Sequence, residues 1–146
     1  MGALVKADLG DRGLAYFGEV MQDCLLDLLD KGTLQSATVT SHLSAARQDR
    51  LFADADRYAE DLIIRPTDVS NSPTLGDRFA VVAANSALEI DLYVHVSSTH
   101  IGGLQVVNGI GGSGDFVRNA PLSIVVLSLT TAGGDVSQIV PMVSHL

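Results

Sequence analysis

Leu14-Ala-Tyr-Phe-Gly-Glu-Val-Met-Gln-Asp23 is an apolar run that ends in polar residues, and it introduces a different rhythm. Beyond it Met21, Cys24, Leu25, Leu28 and Leu29 recur at spacings of three and four, Asp23, Asp27 and Asp30 occupy the opposite face, and Gly32 follows. That periodicity predicts an amphipathic helix closing at Lys31-Gly32. Leu14, Tyr16 and Phe17 read as the end of a buried strand, which places Glu19 at a strand-to-helix turn. In α/β proteins such turns at strand carboxyl ends carry catalytic groups. The alternative for Glu19 is a solvated turn glutamate.

Further along, Ala37–Thr40 reads as a short strand. Ser41 or Ser44 can cap a helix whose apolar positions are Leu51, Phe52, Ala55, Tyr58 and Leu62. Asp61–Arg65, closed by Pro66, reads as a buried strand. The order β-α-β-α-β predicts an α/β fold: an open, mostly parallel (mixed) sheet covered by helices. Asp68–Pro73 is polar and turn-rich after a strand end, the place for a ligand loop, and Asn71 is either a side-chain donor there or a partner of the turn backbone. Phe79–Ala84 is an apolar strand. From Ser86 to Ser97 the residues Leu88, Ile90, Leu92, Val94 and Val96 alternate with Glu89, Asp91, Tyr93 and His95, which predicts one core face and one polar face.

Glu89 and Asp91 do not make a glycosidase pair. Residues two apart on one strand are roughly 7 Å from each other but on the same side, whereas the chemistry needs carboxylates on opposite sides of a sugar. His42, His95, His100 and His145 are scattered, and a metal site is not expected. With 17 acidic residues against 9 basic ones the net charge is −8, which disfavours nucleic acid and anionic membrane surfaces as partners. Cys24 is the only cysteine, no apolar run approaches the ~20 residues of a membrane span, and Met1–Gly13 lacks a signal-peptide core. A soluble cytoplasmic protein is expected, with residues 1–13 a leader without a motif.

Asn108-Gly-Ile-Gly-Gly-Ser-Gly-Asp-Phe-Val-Arg-Asn119 holds a literal GxGxxG at Gly109, Gly111 and Gly114, with Asp135 about twenty residues on. Pro121 limits the following helix to two turns, too short for a dinucleotide fold. The remaining content is a loop whose backbone N–H groups can approach an anion or a carbonyl oxygen, with Ser113 as a cap, or else a structural glycine-rich turn.

Three stretches together resemble the acetyl-CoA hydrolase/CoA-transferase family, and within it the succinyl-CoA:acetate CoA-transferase branch. They are Glu19–Asp30 with Gly32; Ile64-Arg-Pro through Val69-Ser-Asn71 to Asn85–Asp91; and Ser98-Thr-His100 through Val107–Asn119, continued in Ile139–His145. The resemblance implies a CoA-transferase-like α/β domain over residues 14–146, incomplete because family members are several times longer. It implies that Glu19 is the covalent nucleophile, carrying CoA as a glutamyl thioester. It further implies an active-site role for Asn71, CoA contact at Leu88, and backbone contact near the reacting centre from Gly112, in a loop with Gly111 and Ser113. The implied substrates are an acyl-CoA and a small carboxylate such as acetate or succinate, with no permanently bound cofactor and a homodimeric enzyme. Val94 stands where the family usually has glycine, Pro121 replaces a bulkier residue, and Gln105 and Ala132 replace basic ones. The second reading is a catalytically inactive truncated remnant serving as a folding or interaction module. The third is a nucleotide-binding module built on the glycine loop.

Overall fold

Leu14–Val20 does form a strand, β1, and it runs past Glu19 rather than stopping before it. The computed structural model describes residues 6, 7, 9, 12–40 and 43–144. Much of the expected leader, together with Ser41, His42 and His145, therefore lies outside the described residues. The chain divides into two units, Met1–Ser72 and Pro73–Leu146.

In the first unit β1 is followed by α1 (Cys24–Asp30), β2 (Leu34–Thr40), α2 (Ala45–Ala53), α3 (Ala55–Tyr58), β3 (Leu62–Ile64) and α4 (Thr67–Ser70). The strands form a wholly parallel sheet in the order β1-β2-β3. Leu25, Leu26, Leu28 and Leu29 of α1 are buried with Met21, Leu34, Ala37 and Val39. Burying each leucine contributes about 1.5–3 kcal/mol relative to exposure, so α1 is the main fastener of this sheet. Gly32, at φ +69, ends the helix: its N–H donates to the Leu29 carbonyl and the Thr33 N–H to the Leu28 carbonyl, the two bonds of a Schellman motif.

The acidic face of α1 is not simply solvated. Asp27 accepts a two-pronged bond from Arg47 at 2.9 and 3.0 Å and a third from Arg50 at 2.7 Å. Asp30 pairs with Arg50 and accepts a bond from the Tyr58 hydroxyl. The Arg50 bond is the chief reason that the Asp27 carboxyl lies below its ordinary range. Two further expectations change. The single helix expected from Ser44 to Leu62 breaks at Asp54 (φ −133, ψ 44) into α2 and α3. The strand expected over residues 37–40 begins three residues earlier, because Leu34 is buried in the same core.

The second unit contains α5 (Pro73–Arg78), β4 (Val82–Ser86), β5 (Glu89–Asp91), β6 (Val96–Ser97), β7 (His100–Ile101), β8 (Gln105–Val106), α6 (Ser113–Asn119), β9 (Leu122–Val126), β10 (Thr130–Thr131), β11 (Val136–Ser137) and β12 (Ile139–Val140). β4 and β9 pair in parallel, with α6 packed against both. β5 is the centre of a mixed three-stranded sheet, parallel to β12 and antiparallel to β6. The fold class is thus α/β with open, small sheets. The apolar strand expected over residues 79–84 starts later. Pro73 suits a first helical turn, α5 forms after it, and Phe79 follows its last turn and is exposed.

Candidate functional site

Glu19 owes its position to an irregularity in β1. Phe17 pairs with Thr38 and Val20 with Thr40, so three steps along β1 match two along β2 and the chain carries one extra residue at Gly18-Glu19. Such bulges bend a strand and re-aim a side chain, and they are common beside active sites. Gly18 permits it. The Tyr16 ring lies across Gly18 and its hydroxyl donates to the Val20 carbonyl at 3.1 Å. A Cβ at residue 18 would stand 2.6 Å from that hydroxyl oxygen and 2.8 Å from the ring carbon bearing it. Burial raises the Tyr16 phenol above its ordinary value, and Cys24 and the charge of Glu19 raise it further, so Glu19 and Tyr16 feel one another electrostatically. Gly18→Ala is expected to displace Tyr16 and destabilise the chain by about 1–3 kcal/mol, the usual cost of overpacking. Urea denaturation measures this, and an unchanged midpoint would show that the ring moves aside at no cost.

Asn71 reaches the same sheet edge by a chain of polar contacts. The Thr40 hydroxyl, at the end of β2 and paired with Val20, donates to the Arg65 carbonyl. It lies 2.8 Å from the Ser70 hydroxyl, and Ser70 is fully buried. The Ser70 hydroxyl is in turn 3.2 Å from Asn71 Oδ1. Asn71 terminates α4, its N–H donating to the Thr67 carbonyl, and is itself buried. The turn-rich segment is therefore a short helix that presents a polar row, Thr40-Ser70-Asn71, at the carboxyl ends of β1 and β2. Glu19, partly buried, precedes the end of β1 by one residue. Within the first unit the two residues singled out by sequence share one edge.

Leu88, Gly111, Gly112 and Ser113 belong to the second unit. Leu88 is half-buried, and its N–H donates to the Ser97 carbonyl, extending the β5–β6 pairing. Gly111 takes φ +52 and precedes the buried Gly112. Gly112, not Ser113, is the residue that caps α6, and its carbonyl accepts the N–H groups of Asp115 and Phe116. α6 has seven residues, fewer than the Rossmann helix requires.

The face expected to be polar over residues 86–97 is buried at Glu89 and Asp91 but exposed at Tyr93, because β5 ends at Asp91 and a turn follows. Glu89 and Asp91 are buried, at 6% and 4% exposure, while Leu92 and Val94 are exposed at 84% and 74%. The reason is a supply of backbone donors that no sequence pattern displays. Glu89 accepts the Gly102 N–H at 2.7 Å. Asp91 accepts from the N–H groups of Tyr93, His95 and Val143, and its Oδ2 lies 3.0 Å from His95 Nδ1. Burial pushes the Asp91 carboxyl up, but the Val143 and His95 N–H groups, the His95 ring and the Tyr93 N–H outweigh it and hold the pKa at about 2. Asp91 thereby pins a tight turn in which Val94 adopts φ +67. Left-handed backbone strains a β-branched residue by about 1–3 kcal/mol, and glycine relieves that strain at an entropic cost of roughly 0.5–1 kcal/mol. Val94→Gly is therefore expected to stabilise the chain by about 1 kcal/mol, read from the denaturation midpoint, and a lower midpoint would contradict the strain.

Sequence reasoning did not single out the grouping around His95. In the second unit His95, Ser98, Ser113 and Arg118 border a cleft of about 270 Å³. An Asp and a His four apart across a turn was the available signal. Among the described residues no cluster of three or more His, Cys, Asp or Glu could hold a metal ion, and no helix is long and apolar enough to cross a membrane.

The acetyl-CoA hydrolase/transferase C-terminal domain matches residues 48–146. An acetyl-CoA hydrolase of Eremothecium gossypii is 44% identical over an alignment covering 92% of this chain and 27% of the relative. A succinyl-CoA:acetate CoA-transferase of Clostridium kluyveri is 40% identical, over 92% of this chain and 25% of its own. The solved structure of RipA from Yersinia pestis superimposes with a TM-score of 0.69 and 25% identity, over 97% of this chain and 32% of RipA. The chain thus spans about a quarter of the length of these curated relatives. Glu19 lies before the matched domain, but an alignment over 92% of the chain leaves too few residues outside it to exclude Glu19.

Proposed function

Because the chain belongs to the acetyl-CoA hydrolase/transferase family, we propose that it is the nucleophile-bearing segment of an enzyme that moves CoA between an acyl group and a small carboxylate, or hydrolyses acetyl-CoA. The Glu19 carboxylate attacks the carbonyl carbon of the acyl-CoA thioester, the C–S bond breaks, and an acyl-glutamyl anhydride and CoA thiolate result. The thiolate then attacks the glutamyl carbonyl, releasing the acyl group as its carboxylate and leaving a glutamyl-CoA thioester. An incoming acetate or succinate attacks that thioester and reverses the two steps on a new acyl group, whereas water attacks it to give hydrolysis. A carboxylate is a weak nucleophile, so positioning and binding energy from the remote parts of CoA must lower the barrier.

One observation carries this reading: the bulge that holds Glu19 at the carboxyl end of β1, on the edge where Asn71 lies. Asn71 is assigned to orient the reacting carboxylates with its side-chain amide. Leu88 and the backbone at Gly111, Gly112 and Ser113 are assigned to CoA. The substrates are an acyl-CoA and a carboxylate, the cofactor is none beyond CoA itself, and the setting is a cytoplasmic homodimer working in acetate metabolism. The inactive-module reading finds support in Val94 and Ala132, which both take positive φ.

The test is transfer from succinyl-CoA to acetate. A polypeptide of the relatives' length that contains these residues is expected to turn over at enzyme-like rates, on the order of 1–1000 per second. The 146 residues alone are expected to fall well below that range. Enzyme-like turnover by the short chain, or none by the long one, would contradict the proposal.

A further inference from the structure

Granted the role proposed for Glu19, on which this rests, we infer that Tyr16 is a positioning residue for it: Tyr16 ties the bulge that carries Glu19 to the core packed against α1. The pairing of β1 with β2 holds the chain at Phe17, opposite Thr38, and again at Val20, opposite Thr40. The Met21 N–H, donating to the Thr40 carbonyl at 3.2 Å, continues that hold beyond Val20. Gly18 and Glu19 lie between the two paired positions, and Tyr16 adds an attachment across that span. Where a nucleophile stands to within ~1 Å decides its rate, so a tie across the bulge bears directly on the chemistry.

The Tyr16 ring packs against the buried cluster that contains Met21 and the leucines of α1. From there its hydroxyl passes over Gly18 and donates to the Val20 carbonyl at 3.1 Å. In a regular strand Tyr16 and Val20 would stand roughly 13 Å apart, four steps of ~3.3 Å, which is farther than a phenol reaches. The bond therefore forms only in the bulged strand, and bond and bulge support each other. Gly18 is the condition for it, because a Cβ there would stand 2.6 Å from the hydroxyl oxygen. Val20 is 39% exposed, so water can replace the hydroxyl as a donor to its carbonyl. Water does not replace the fixed distance to the core. Loss of the hydroxyl should thus change stability little and the placement of Glu19 much. The phenol also feels the Glu19 charge, which adds to burial and Cys24 in raising its pKa, as expected of two groups that share this turn of the chain.

The experiment compares Tyr16→Phe and Glu19→Ala with their parent in a polypeptide of the relatives' length, mixed with an acyl-CoA without acceptor and quenched over time. Tyr16→Phe keeps the ring in the core and removes only the hydroxyl. Formation of the CoA adduct should slow at least about tenfold, since ~1 Å of misplacement can cost about a hundredfold. The acyl-CoA concentration giving half the maximal rate should stay within about twofold, because contacts to the remote CoA moiety are untouched. Replacing Tyr16 by 4-aminophenylalanine restores an N–H donor and should recover most of the rate. In the 146-residue chain Tyr16→Phe should leave the urea midpoint nearly unchanged and broaden the Gly18 and Glu19 amide signals, with those of Leu25 and Val39 staying sharp. An adduct absent from Glu19→Ala yet formed by Tyr16→Phe at the parent rate overturns the role of Tyr16 and leaves the nucleophile standing. An adduct that persists in Glu19→Ala removes the nucleophile, and the role of Tyr16 with it. Failure of the amine to rescue, unaltered Gly18 and Glu19 signals, or a rate loss that only follows a lower midpoint would also overturn it.

Discussion

Asp91→Ala is expected to abolish cooperative folding of the second unit. The carboxylate is buried and accepts three backbone N–H groups, from Tyr93, His95 and Val143, besides contacting the His95 ring. Removing it strands those donors where water does not replace the acceptor, the costly half of the hydrogen-bond asymmetry. Asn is a poor substitute, because its amide nitrogen would face either the Val143 N–H or those of Tyr93 and His95. Amide exchange reads the result: protection is expected to vanish at Ile90, Ser97 and Val143 while Leu25, Leu28 and Val39 keep theirs.

The same group sets an acid limit. Its folded pKa of about 2 lies below the ordinary 3.8, so the carboxylate stabilises the folded state above pH ~4, and that contribution is lost as pH falls through 2. The denaturation midpoint should drop between these values. A midpoint independent of pH across this window would contradict the assignment.

The first unit was largely legible because its elements are long enough to show a period. The leucines of α1, Gly32 after them, and the apolar β1 each declare one structure, and tertiary packing agrees with all three. The second unit was less so, for its strands β6, β7, β8, β10, β11 and β12 have two residues each, too few for any alternation to register. Alternation did not reveal that Glu89 and Asp91 are buried, since that depended on the N–H groups of Gly102 and Val143, distant in sequence. The bulge at Glu19 had a sequence trace, an isolated glycine inside a strand, which marks bulges and close approaches. Asn71 was legible as polar and near a strand end. Its route to the edge through Ser70 and Thr40 was not, because Thr40 lies thirty residues from Ser70 along the chain.

Loss of Glu19 is expected to be the most damaging change to activity in a polypeptide of the relatives' length. Glu19→Ala removes the group proposed to form the covalent bond, so CoA transfer should fall to background. Glu19→Asp keeps the charge but withdraws it by a methylene, about 1.5 Å, and a misplacement of ~1 Å costs on the order of a hundredfold. Glu89→Ala, with its carboxylate occupied by the Gly102 N–H, should lower stability but still permit transfer in the folded fraction. Steady-state rates with succinyl-CoA and acetate separate these outcomes, and near-normal transfer by Glu19→Ala would remove Glu19 from the chemistry.

Rates leave the covalent step implicit, whereas mass exposes it. Incubating that polypeptide with an acyl-CoA in the absence of an acceptor, then measuring intact mass and mapping the modified peptide, should find a CoA-sized adduct in the parent on the peptide containing Glu19, and none in Glu19→Ala. An adduct that persists in Glu19→Ala, or that maps to the peptide containing Glu89 and Asp91, would contradict the account.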